Sequence, residues 1–254
     1  MGRTIPSRTT CVRPGAFLSA SLVLVFLVLA MPSQAMGILP AESDDLAGQE
    51  IVQKYLEASR TQQLVLRGGQ MEMKLNAKLP RLGKQGVLLA LRRISKFGKI
   101  TYNALGFSGD NMIKNEVIAR YLALDADGND VAITPANYKF RYKGQSYRDN
   151  RQIYVFSVAP RRKALGLFRG ELWMDAATAM PVRQSGRFVK TPSVFLKKVE
   201  FIQDYELQDG VAIPKHFQGT ADMRVVGRAE LSIDFSNFTR QQAAEEEIAN
   251  AANR

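Results

Sequence analysis

The chain has 254 residues, 46% hydrophobic and 23% charged, a globular composition that argues against disorder, collagen and coiled coil. Lys and Arg number 35 against 24 Asp and Glu, a formal net charge of +11, while His and Cys occur once each. One imidazole and one thiol exclude a Cys₂His₂ or His₃ zinc site, and any histidine-based triad has to be built on His216.

The first 35 residues read as a secretory signal cleaved after Ala35. Arg3, Arg8 and Arg13 form a basic start with no acidic residue, and Phe17 to Ala30 (FLSASLVLVFLVLA) is a charge-free apolar run. Pro32 then breaks it before Ser33-Gln34-Ala35, small at the −3 and −1 positions. An uncleaved anchor helix is the competing reading, although the run is short for a bilayer span. Cys11 precedes the apolar run, whereas a lipidation signal puts its Cys directly after one. Cleavage leaves a mature chain without cysteine, held by its core alone, and implies a periplasmic location. For an exported protein the positive balance suits an anionic membrane surface or an acidic glycan, or simply a soluble basic surface.

Chain order then gives one helix followed by strands. Ile51, Val52, Tyr55, Leu56 and Ser59 share a side at helical spacing within residues 46–62, after the capping candidates Ser43, Asp44 and Asp45. From Gln70 the period becomes two: Met71, Met73, Leu75, Ala77 and Leu79 alternate with polar residues, as in a half-buried strand. Further strands are expected at 86–94, 99–105, 138–143, 152–159, 168–175, 181–190, 194–206, 211–226 and 229–238. Phe97-Gly98 marks a turn, and Asp209-Gly210 is the clearest hairpin. Residues 110–125 suit a helix, with Ile113, Val117, Tyr121 and Leu124 in phase, although VIARYLAL also suits a strand. One domain is expected over 36–239, with residues 240–254 as a frayed helix or a disordered tail.

No βαβ rhythm is present, so the fold class is mainly β (α+β): a curved antiparallel sheet forming an open half-barrel, with two or more lid helices. About nine strands and two helices leave apolar volume for a greasy ligand if the helices cover the concave side incompletely. The candidate cavity lining is Met71, Met73, Leu75, Leu89, Leu91, Leu172 and Met174; the alternative is that these side chains fill a dry core.

Two stretches carry a family resemblance: Val158 to Lys163 (VAPRRK) and Leu167 to Gln184 (LFRGELWMDAATAMPVRQ). Behind a leading helix and an alternating strand, this Leu-Trp-Met-Asp…Pro-Val-Arg pattern resembles the LolA-like family of periplasmic lipoprotein-sorting carriers. The resemblance implies an unclosed barrel whose helices lid an apolar cavity for acyl chains of lipids or lipoproteins. The early Arg-Pro strand and the Asp-Gly-Lys-x-Leu-Trp hairpin of the sorting carriers proper are absent. Within the motif, Trp173 lies on the charged face and is placed to stack under Arg183 or Arg187.

Enzymatic readings find little support. Gly106-Phe-Ser-Gly-Asp110 nearly spells a nucleophile elbow around Ser108, but its last Gly is Asp and no parallel strand-to-helix crossing is expected there. No phosphate-cradling glycine pattern or metal loop occurs, so no cofactor is implied. Basic groupings stand at Arg92-Arg93 with Lys96 and Lys99, at Arg161, Arg162 and Lys163, and at Lys197-Lys198. The second, beside Leu165, Leu167 and Phe168, resembles a membrane-touching loop; a solvated hairpin tip is the simpler alternative. The expectation is therefore a non-enzymatic periplasmic binding protein for lipid or lipoprotein acyl chains, acting as a carrier, with no nucleic-acid partner. The alternative is an envelope docking or stress-sensing module with a fully packed half-barrel.

Overall fold

Alternating apolar positions require a pleated surface with one dry face, and strands make up more than half of the described residues. The computed structural model describes residues 40–126, 131–191, 196–224 and 227–240. The expected signal segment and the tail beyond Arg240 lie outside the described residues. Helix α1 (Pro40–Leu66) comes first, followed by β1 (Gly69–Leu79), β2 (Lys84–Ile94) and β3 (Ile100–Gly109). A helical segment follows: α2 (Asn111–Ile113), a π-helical stretch (Lys114–Ile118) and α3 (Ala119–Ala126). The remaining strands are β4 (Tyr138–Arg148), β5 (Arg151–Pro160), β6 (Phe168–Asp175), β7 (Pro181–Phe188), β8 (Leu196–Gln208), β9 (Val211–Met223) and β10 (Gly227–Arg240).

These strands form one open antiparallel sheet in the order β3-β2-β1-β10-β9-β8-β7-β6-β5-β4. Two meanders therefore meet where β1 pairs with β10, and β3 and β4 are the two edges. The segment between β3 and β4 carries the chain from one edge to the other. Bulges interrupt β1 at Gln70/Glu72, β4 at Tyr142/Gly144 and the β8–β9 pairing at Asp204/Tyr205, and bulges bend and twist a sheet. Asp209 (φ 50°) and Gly210 (φ 77°) form the expected two-residue hairpin turn between β8 and β9. Asp149 (φ 50°) and Asn150 (φ 59°) do the same between β4 and β5.

The helices divide the inner face between them. From α1, Ile51, Val52 and Tyr55 pack with Tyr138, Phe156, Phe168, Leu172, Met174 and Phe201 of β4–β8. Gly48 lets this helix approach closely, since a Cβ there would stand 3.1 Å from that of Tyr142. The Gln62 amide fixes the far end of α1 to β9, donating to Ala212 O at 3.0 Å and accepting from Ala212 N–H at 3.3 Å. On the other half, Ile113 and Ile118 pack with Met73, Leu75, Leu88 and Ile233 of β1, β2 and β10. Asp110 caps α2, accepting from Met112 N–H at 2.8 Å, and pairs with Lys84 at 3.0 Å.

Two expectations about local structure need correction. Strand β3 runs on to Gly109, past the expected end at residue 105, and places Ser108 within a strand and not in a strand-to-helix turn. Leu167 and Phe168 are buried, because the chain after Gly166 turns directly into β6; Leu165 alone of the three apolar residues beside Arg161–Lys163 is exposed.

Candidate functional site: the inner seam between the helices

Cross-strand register places one row of residues across the whole inner face. From β4 to β3 it reads Phe140, Val158, Gly170, Gly186, Phe201, Gly219, Leu231, Ala77, Gly86 and Gly109. Half of this row is glycine, so at five points along it the inner face carries no side chain of its own and forms a shallow crease. Neighbouring side chains lie down into it. A Cβ on Gly219 would come within 2.9 Å of the Phe217 ring, one on Gly186 within 2.9 Å of the Phe168 ring, and one on Gly86 within 3.0 Å of Ile113.

Aromatic rings run along the crease. Tyr121 of α3 meets Phe217 at 5.4 Å between centroids; Phe217 lies nearly parallel to Phe201 at 6.1 Å; Phe201 stacks on Phe188 at 5.0 Å and meets Phe168 edge-on at 5.0 Å. Phe217 packs against both core clusters, which makes it the hinge of contact between the two covers. Phe201 and Phe168 are buried, whereas Tyr121, Phe188 and Phe217 are half-buried. The seam is thus apolar, floored by backbone and only partly covered.

The sequence-derived lining separates into two groups. Met71, Met73, Leu75, Leu172 and Met174 face inward as expected and are 0–2% exposed. They are packed core in this structure, with Met71 also lining a cleft of about 240 Å³ beside Glu206, Ile213 and Phe235. Leu89 and Leu91 are a correction: they stand opposite Lys74 and Glu72, while Leu88 and Ala90 stand opposite Leu75 and Met73, so both lie on the outer face. An apolar run (VLLAL) has no alternation to fix which members turn inward. The aromatic row was missed because its members are dispersed over five elements and no spacing in the chain links them.

The motif that carries the resemblance has a structural role. Asp175, buried at the end of β6, accepts at Oδ1 from Ala177 N–H (3.1 Å), Thr178 N–H (2.8 Å) and Thr178 Oγ1–H (2.9 Å), closing the turn to β7. Trp173 lies under the Arg183 guanidinium at 5.5 Å and donates from Nε1 to Glu171 at 3.0 Å. The Lys143 ammonium, followed by the Trp173 donor, holds the Glu171 carboxyl below its ordinary range. Arg161, Arg162 and Lys163 are exposed, with Arg161 Nε donating to Pro135 O at 2.7 Å.

Ser108 and His216 do not form a nucleophile and base. They sit on β3 and β9, with β2, β1 and β10 between them, which separates them by about 19 Å at normal strand spacing. The His216 Nδ1 instead pairs with Asp234 at 2.7 Å on the outer surface.

No family model matches the chain, and no curated protein does. Among solved structures it is similar to a DUF1329 family protein from Desulfovibrio piger, at 15% identity over 75% of this chain and 93% of that one, with a TM-score of 0.41. It is also similar to a Vibrio parahaemolyticus domain described as an outer membrane lipoprotein-sorting protein, at 12% identity over 77% and 93%, with a TM-score of 0.42. A LolA superfamily protein from Nitrosomonas europaea overlaps at 11% identity over 76% and 93%, with a TM-score of 0.38.

Proposed function

We propose that the protein is a non-enzymatic, exported binding protein that takes up a lipid or the acyl chain of a lipoprotein in the seam between its two helical covers and carries it through the periplasm. The observation that supports this reading most is the glycine-floored crease beneath half-buried rings. The glycines leave room above the sheet that the rings of Phe217 and Phe188 cover without being locked by full burial, and those rings supply the apolar surface for an acyl chain. α1 rests mainly on β4–β8 and α2–α3 on β1, β2 and β10, with β9 shared, so a shift of α2–α3 moves Tyr121 off Phe217 while Ile51, Val52 and Tyr55 keep their contacts. Uptake is then a change of population: an acyl chain that fits only the opened seam stabilises that state. No bond chemistry is required.

Native mass spectrometry of protein purified from the cell envelope tests this. A bound hydrophobic mass, reduced by Phe217→Asp and Phe188→Asp, is the expected result. A clean apo mass together with a co-purifying protein refutes the carrier reading and favours a docking module with a closed, packed seam.

A further inference from the structure

The β2–β3 hairpin ends in a turn fixed by its own hydrogen bonds. Gly98 N–H donates to Ser95 O at 2.8 Å, Ser95 N–H to Lys99 O at 2.9 Å, and Lys99 N–H to Ser95 Oγ at 2.9 Å. Gly98 takes φ 84°, where a side chain is strained. The turn holds Phe97 outward at 94% exposure, the highest of any large apolar side chain among the described residues. Nothing in the fold explains such a ring.

Its surroundings are cationic. Arg93, Lys96 and Lys99 are exposed on the same hairpin, and Gly68 N–H donates to Ile94 O at 2.8 Å, which brings the exposed Arg67 alongside. No Asp or Glu occurs between Arg92 and Gly109. Among the described residues, none of these four cations has a carboxylate partner.

We propose that this hairpin end is a membrane-contact site for anionic phospholipid: Phe97 seats in the interfacial layer while Arg67, Arg93, Lys96 and Lys99 meet headgroup phosphates. A ring on a convex tip has no wall of its own to share with a partner. It must be enveloped from all sides, which a fluid interface does without shape complementarity. Aromatic rings belong at that depth, and basic residues gather at anionic surfaces. The site lies on β2–β3, outside the seam, and stands whether or not the seam holds lipid.

The test is co-sedimentation of the exported chain with vesicles of phosphatidylglycerol and phosphatidylethanolamine, against vesicles of phosphatidylcholine alone. The wild type is expected to bind the anionic vesicles, less so as salt rises, and not the neutral ones. Phe97→Ser should weaken binding about tenfold, and Lys96→Gln or Lys99→Gln about fivefold each. All three positions are exposed, and circular dichroism confirms that each variant is folded. The triple variant R161Q/R162Q/K163Q should lose less than Phe97→Ser. Equal binding of Phe97→Ser and wild type, a larger loss in the triple variant, or absence of binding to anionic vesicles at low salt overturns the proposal. So does Phe97-dependent capture of an acidic envelope protein without any vesicle binding. Lipid loading of the seam is read separately by mass, so either result fails without the other.

Discussion

Arg183 and Asp204 stand opposite each other on β7 and β8 and share a forked pair of hydrogen bonds, Nε to Oδ1 at 2.7 Å and Nη2 to Oδ2 at 3.0 Å. Arg148 adds a third, from Nη1 to Oδ1 at 3.0 Å. Desolvation, the largest single influence on Asp204, pushes its carboxyl upward, but the hydrogen bonds and charges of Arg183 and Arg148 outweigh it and hold the group below its ordinary range. A depressed folded-state value means stability that is present above the unfolded value near pH 4 and lost as pH falls through the folded one. Asp204→Asn is therefore expected to destabilise the domain by about 1–2 kcal/mol at neutral pH. Urea unfolding at pH 7 and below pH 3 should show that difference shrink in acid. A difference independent of pH would contradict the assignment.

Leu88 and Leu89 are adjacent in the chain but point in opposite directions, at 4% and 47% exposure. Leu88→Ala should cost about 2–4 kcal/mol, and Leu89→Ala less than about 0.5 kcal/mol. Leu75→Asp, at a position 0% exposed, should prevent folding rather than alter ligand loading. Chemical denaturation of the three variants distinguishes inner from outer face directly.

Gly219 lies under the Phe217 ring. A valine there should displace the ring and cost about 1–3 kcal/mol through overpacking, while Phe217→Ala should open the crease. Urea midpoints for both variants, with uptake of a fluorescent fatty acid as the second readout, should show Gly219→Val losing uptake and Phe217→Ala retaining it. The opposite order would place the ligand elsewhere.

Tyr55, on the buried side of α1, has its phenol pushed up to about 12, chiefly by burial, with the Ser59 hydrogen bond acting the other way. Because the folded value is raised, its contribution is complete below the unfolded value near pH 10 and disappears as pH climbs toward 12. Spectrophotometric titration should show Tyr55→Phe removing one phenol that ionises late and together with unfolding. Ionisation of that phenol near pH 10 in the folded protein would mean that α1 does not cover it.

The sheet was readable wherever one face is dry and the other wet. β1 alternates cleanly because its inner residues meet Leu88 and Ile233 while Lys74 and Lys78 face water. The helix over 46–62 and the turn at Asp209-Gly210 were readable for similarly local reasons. The extension of β3 to Gly109 was not, since most of this edge strand is exposed and its half-buried Tyr102 and Phe107 fall out of step across a bulge, which leaves no alternation to display. Trp173 over Arg183 was anticipated from parity within β6, whereas the Asp149-Asn150 turn was overlooked because it lacks the usual glycine. The crease needs the register of every strand at once. Glycines far apart in the chain become neighbours only when all of the pairings are known.

The pairing of β1 with β10 has a kinetic corollary. Glu72 and Asn237 touch across it although 165 residues separate them in the chain. β1 therefore keeps that side's ladder of amides and carbonyls open until β10 has been made, and assembly should be slow, as for other folds dominated by distant contacts.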